Sequence, residues 1–166
     1  MPSLRRSVLI ALTLFVLDAF VTNQGFFALL AIPGLVFIRV PFILAARKDD
    51  ALFNNRVARA WVYAAMVAAS LGANALNNAH ARRQAGRVIA ACGRFQAENR
   101  RFPDTLEKLV PGYLPAVPRA KFVLGPWSRF RYDLMPDGRH WLEYTALPPF
   151  GRPHYVLEEG RWGYLD

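Results

Sequence analysis

The stretch that decides the fold is "NRRFPDTLEKLVPGYLPAVPRAKF", residues 99–122. Pro103 stops any helix before it, since it has no backbone N–H and disfavours helical geometry in the preceding residue. Asp104, with Glu107 three residues on, has the spacing of a capping box and predicts a second, short helix. Leu106, Leu109 and Val110 form its expected buried side, and Pro111-Gly112 its stop. Pro115 and Pro118 then stiffen an extended connector. The junction is expected to turn the chain back over the helix that precedes it.

That preceding helix is legible over 56–101, where only Gly72, Gly86 and Gly93 weaken the pattern. Ala85, Val88, Ile89, Cys92 and Phe95 fall on one face, at i, i+3, i+4, i+7 and i+10. Arg87, Arg94 and Glu98 fall on the other. As one continuous rod it would be about 65 Å long.

Downstream the period changes to two. "RFRYDL" sets Phe130, Tyr132 and Leu134 against Arg129, Arg131 and Asp133. Pro136 to Gly138 reads as a hairpin turn, the proline fixing φ and the glycine supplying a positive one. "HWLEYTAL" follows, then "LPPFGRP" as a loop, and "HYVLE" and "RWGYL" joined through Glu159-Gly160. Four short antiparallel strands against one helix make a small α+β domain.

The first half is different in kind. The chain has 166 residues, of which 54% are hydrophobic and 20% charged. Between residues 7 and 46 only Asp18 and Arg39 are charged. "SVLIALTLFVLDAFVT" and "FFALLAIPGLVFIRVPFILAA" approach or reach the roughly 20 residues that a bilayer crossing needs. Only "NQG" lies between them, enough for a helical hairpin. "AWVYAAMVAASLGANAL", residues 60–76, is the third expected span. The competing reading of the first segment is a cleaved signal peptide after Arg5 and Arg6, but no A-x-A-like site precedes Asn23 and a second apolar span follows at once.

Basic residues set the expected orientation. Arg5, Arg6, Arg47, Lys48, Arg56 and Arg59 fall on one side of a three-span arrangement, which the positive-inside rule makes cytoplasmic. Everything after about His80 is then outside the cytoplasm; if the third segment does not cross, the C-terminal half stays inside. Asp18 and Arg39 lie within reach of an interface, Arg39 by snorkelling, and need no ion path. Pro33, Gly34 and Pro41 predict a kinked second helix. Ala64, Ala68 and Gly72 recur every fourth residue, as do Ala65, Ala69 and Ala73. Small residues so spaced allow close helix packing, against the other spans or in a homo-oligomer.

An apolar-then-amphipathic helix, then "RFPDTLEKLVPGYLP", then an antiparallel meander, resembles the type IV pilin and type II secretion pseudopilin family. The likeness covers about 61–166 and rests on Phe102, Pro103, Leu106, Leu109, Val110, Pro111, Tyr113, Leu114 and Pro118. It implies a pilin-like head. No Gly-Phe-Thr-x-x-Glu segment precedes the third span, so prepilin cleavage is not expected and the two extra spans remain as an anchor. "YVLEEGRWGYLD" has no acidic calcium loop of the kind some pseudopilins carry.

Chemistry is sparse. A single cysteine, Cys92, excludes an intrachain disulfide and sits on the apolar helix face. His80, His140 and His154 lack metal-ligand spacing, although His140 and His154 could meet across strands. No nucleophile or phosphate-loop motif occurs. Neither an enzyme nor a cofactor is expected. Net charge is +9, with fourteen basic and nine acidic residues from 81 onward, scattered rather than grooved. That suits a solvated surface near anionic lipid better than specific nucleic-acid binding. Tyr132, Trp141, Tyr144, Tyr155, Trp162 and Tyr164 are either the sheet's core against the helix or an exposed binding face.

The expected architecture is an α+β membrane protein: a transmembrane hairpin and cytoplasmic loop over 1–55, the third span and long helix over 56–101, and the head over 102–166. Its expected place is a bacterial inner membrane with a periplasmic head, among lipid and other envelope proteins. A structural part in a pilus or secretion assembly is one reading of function. The other is an anchored module for a cell-wall polymer or glycan, with Trp141, Tyr144, Trp162, Arg129 and Arg131 as its surface.

Overall fold

The computed structural model describes residues 2–22, 25–146 and 151–165. Two residues of the expected "NQG" turn, and 147–150 of the expected "LPPFGRP" loop, lie outside the described residues. The chain divides into two compact units, Met1–Ala75 and Leu76–Asp166, inside its longest helix rather than at either end of it.

Among its described residues the first unit is helical apart from Gly25 and a turn over 45–49. Helix α1 (Pro2–Val16) runs on as a π-helical segment, Leu17–Thr22. After Gly25 come α2 (Phe26–Pro33), a second π-helical segment (Gly34–Arg39) and α3 (Val40–Leu44). The break expected at the prolines takes this form. Pro33 and Pro41 cannot complete the i→i−4 ladder, and the turns between them widen. Helix α4 then occupies Asp50–Asn99 as one 50-residue element.

Packing in this unit is inverted relative to a water-soluble bundle. Ala11, Ala28, Met66 and Val67 form its buried cluster, with Ser7, Asp18 and Ser70 also buried. The large apolar side chains point outward: Phe37 is 76% exposed, and Leu9, Ile38 and Trp61 are exposed with it. The face of α4 turned inward is Met66, Val67, Ser70 and Asn74, not the expected row of Ala64, Ala68 and Gly72. Ala68 and Gly72 are exposed and Ala64 half-buried, and a methyl built on Gly72 meets nothing within 4 Å. Small size alone does not set which way a helix turns; the larger Met66 and Val67 fill the space between helices.

Of the three expected spans, one has the length and apolarity of a crossing helix among the described residues. Phe26–Leu44 is 19 residues long with mean hydropathy 2.3. The first segment is cut short by Arg5, Arg6 and Asp18. The third is diluted by alanine, glycine and asparagine.

The second unit is α+β. Ala81, Ala85, Val88, Ala91, Cys92 and Phe95 of α4 are buried in one cluster with Leu106, Leu109, Leu114, Ala120, Phe130, Leu142, Tyr144 and Leu157. The amphipathic face expected from spacing is therefore the core face. Strands β1 (Arg131–Leu134), β2 (His140–Glu143), β3 (Arg152–Val156) and β4 (Arg161–Leu165) form one antiparallel meander in the order β1-β2-β3-β4. Pairs Tyr132↔Leu142, Leu142↔Tyr155 and Tyr155↔Trp162 set one face on the helix. The first hairpin closes through Met135 N–H to Arg139 C=O at 2.8 Å, with Gly138 at φ 82. Leu134, at the end of β1, shares the side of the strand that carries Tyr132 but is exposed.

The junction turns back onto α4 as expected. Tyr113 packs edge-on against Phe95 at 5.4 Å, and its carbonyl accepts from Arg94 at 2.9 Å. The capping box, however, is absent. Residues Leu106–Leu109 form a single 3-10 turn after extended Thr105, with no side-chain cap. Asp104 instead pairs with Lys108 and, at 3.6 Å, with Arg101. Two nearby cations compete for the carboxylate and hold its pKa below the usual range, Lys108 contributing most.

Candidate functional site

The sheet has two faces, and they divide the aromatic residues. Tyr144 is buried in the core. Trp162 lies 5.4 Å from the Tyr155 ring and 6.2 Å from Tyr144, and the Arg82 guanidinium from α4 sits 4.5 Å over its indole. These contacts use both rings to bury area in a small domain, as a short sheet requires. Neither ring is offered to a ligand as an open platform.

The opposite face carries Trp141, Glu143, His154 and Val156, with Arg131 and Asp133 of β1 beside them. Trp141 and His154 stack at 4.1 Å with their planes 12° apart. Gly163, paired with His154 across β3 and β4, makes room for the imidazole: a Cβ there would meet its Nε2 at 2.4 Å. Arg131 pairs with Asp133 at 3.2 Å and with buried Glu143 at 3.3 Å. Trp141 Nε1 and His154 Nδ1 are buried without hydrogen-bond partners among the described residues. Arg129 lies elsewhere. It lines a cleft of about 510 Å³ with Thr105, Glu107, Arg119 and Tyr132, whose hydroxyl donates to Pro103 C=O at 2.9 Å. Burial raises the Tyr132 phenol well above its ordinary value. The five residues expected to form one surface thus lie in three places: the core, the outer sheet face and the cleft.

The remaining titratable groups are structurally engaged. Cys92 is buried and its thiol is pushed up to about 12 by desolvation, which makes it a poor nucleophile. His140 contacts Glu158 through Nδ1 at 2.6 Å and through its backbone N–H at 2.8 Å. It belongs to the helix-side face and His154 to the other, so the two histidines do not meet across the strands. Among the described residues no group of three or more His, Cys, Asp or Glu is placed to hold a metal ion.

Three features escaped the reading of the sequence. Lys121 is 1% exposed, donates to Ala146 C=O at 3.2 Å, and is lowered to about 8 by burial. Its apolar neighbours in sequence, Ala120, Phe122 and Val123, were the available signal. A loop with exposed Phe122, Leu124 and Trp127 follows it. In the first unit, Asp18 is buried. Its carboxylate accepts from the N–H of Phe27 at 3.3 Å, the N–H of Ala28 at 3.1 Å and the Thr22 hydroxyl at 3.1 Å. It thereby supplies the N-terminal acceptor that α2 lacks, since Gly25 has no side chain to cap with.

Basic residues collect on the same unit. Arg59 Nε donates to Ser7 Oγ at 2.9 Å, Arg56 lies 4.1 Å over the Phe42 ring, and Arg39 lies 5.4 Å over Tyr63. No protein-family model, curated protein or solved structure matches the chain.

Proposed function

We propose that this chain is an integral membrane protein whose first unit is an anchor and whose second unit is a structural head outside the cytoplasm. The head's role is to contact other envelope proteins in an assembly of pilus or secretion type. The observation that carries the anchor is the packing of the first unit, with only Ala11, Ala28, Met66, Val67 and the polar Ser7, Asp18 and Ser70 buried and Leu9, Phe37, Ile38 and Trp61 outside. In water such a belt is an aggregation surface; in lipid it is the solvated face. Arg5, Arg6, Arg56 and Arg59 favour the cytoplasmic side for their end of the helices.

The reading of the head as a scaffold part draws on its aromatics. Tyr144 and Trp162 are used in packing, which weakens a glycan-binding role for that group. A long helix, a short turn carrying Leu106 and Leu109, and a four-stranded meander agree with the pilin-like resemblance in outline.

Reporter fusions test the topology. A reporter active only outside the cytoplasm should work when fused after Asp166 and fail when fused at Asp50. Cytoplasmic activity at the C-terminal fusion would overturn the three-crossing arrangement and the pilin analogy together.

A further inference from the structure

We infer that the loop carrying Phe122, Leu124 and Trp127 is a lipid-contact surface, inserted at the headgroup boundary of the leaflet where the third apolar stretch ends. The inference rests on the anchor reading above and extends it to the head. Phe122 is 63% exposed, Leu124 68% and Trp127 40%. Three large apolar side chains exposed within six residues, with Val123 among them buried, are not scattered surface noise. Gly125, at φ 78, and the turn Pro126–Ser128 fix the loop's course, with Ser128 Oγ donating to Gly125 C=O at 2.7 Å.

Its place on α4 identifies the occupant. The N–H of Phe122 donates to Asn77 Oδ1 at 2.9 Å, and the Phe122 ring lies 4.2 Å from that of His80. Asn77 directly follows Leu76, the last residue of the apolar stretch 60–76, and His80 comes about one helical turn later. Leu76 is itself 75% exposed. A helix that leaves lipid at Leu76 therefore carries this loop at the depth where phenyl and indole rings concentrate. Exposed Arg119 and Arg129 bracket the loop in sequence and bring cations suited to lipid phosphates. A partner protein would leave the match between loop and helix exit unexplained.

Spin labels on the full chain in lipid vesicles test this. Buried, weakly acidic Cys92 should resist the reagent, and the unsubstituted protein provides that control. Labels go on Leu124→Cys, on Leu30→Cys within Phe26–Leu44, and on Leu134→Cys, an exposed site on β1. The label at 124 should shift toward oxygen and away from a water-soluble nickel chelate, as at 30 and opposite to 134. If 30 reports lipid and 124 reports water, the loop is not a lipid contact and the anchor stands. If 30 also reports water, the anchor reading fails and this inference with it. A label at 124 shielded from both quenchers would mean that a protein covers the loop, which overturns the lipid assignment.

Discussion

Lys121 carries its charge in a place where the folded protein would rather have none. It makes a single hydrogen bond to a carbonyl, and burial lowers its pKa to about 8 from 10.5. The unfolded chain therefore binds more protons than the folded one between those values, and stability rises as pH climbs through that window. Below about pH 8 the penalty is present in full. Replacing Lys121 by Met should stabilise the protein at pH 7 by about 2 kcal/mol, the desolvation relief less one lost hydrogen bond. The gain should shrink through that window and vanish well above the unfolded value of 10.5, when the wild-type amine is neutral in both states. Urea unfolding of the full chain in detergent, followed by tryptophan emission at both pH values, measures it; a variant weaker than wild type at pH 7 would refute the account. Neither Lys121 nor Asp18 was legible as a buried group. Each is satisfied by backbone far along the chain, and spacing patterns report only neighbours on one element.

At the level of elements the sequence was more open to reading. The four strands were legible because turn chemistry marks their ends: Gly138 and Gly160 take the positive φ that those turns require. The core face of α4 beyond the apolar stretch was legible from its 3.6-residue period. The short helix was misread because the capping-box pattern ignores competing partners, and Lys108 and Arg101 take the carboxylate first. The Ala64, Ala68 and Gly72 row does not face the other helices of its own chain, because repetition of small residues does not say which side meets a neighbour; its homo-oligomer alternative stays open. Gly163 was not singled out, yet it decides how β3 and β4 pack. Gly163→Ala must drive the His154 ring away from Trp141, at a cost of about 1–3 kcal/mol for overpacking. Thermal melting should fall, and Trp141 emission should rise as the imidazole leaves its face. Unchanged emission with unchanged melting would mean that the stack does not depend on the missing methyl.

For the whole molecule, the sign of one substitution separates lipid from water around the first unit. Phe37 is exposed near the middle of Phe26–Leu44. In a bilayer Phe37→Arg should oppose insertion by about 2.5–3.5 kcal/mol. In water the same change on an exposed site would cost nothing and improve solubility. The alkaline-resistant fraction after translation in the presence of membrane vesicles gives the answer: it should drop for Phe37→Arg and stay put for an Arg in place of exposed Gln96 on α4. The division of the chain into an apolar and a mixed half was plain from the distribution of charge. The number of crossings was not, because an alanine-rich stretch such as 60–76 sits between a span and an ordinary helix in hydropathy. The Asp18 contact bears on how such an anchor is made. The acceptor is in place nine and ten residues before its donors, Phe27 and Ala28, are synthesised. Until the first turn of α2 exists, that carboxylate has only the Thr22 hydroxyl to accept from, and in the proposed anchor the first helix alone would enter lipid only at a penalty. In the proposed anchor both helices would then have to be made before either settles, so the hairpin, and not the single helix, would be the unit of biogenesis.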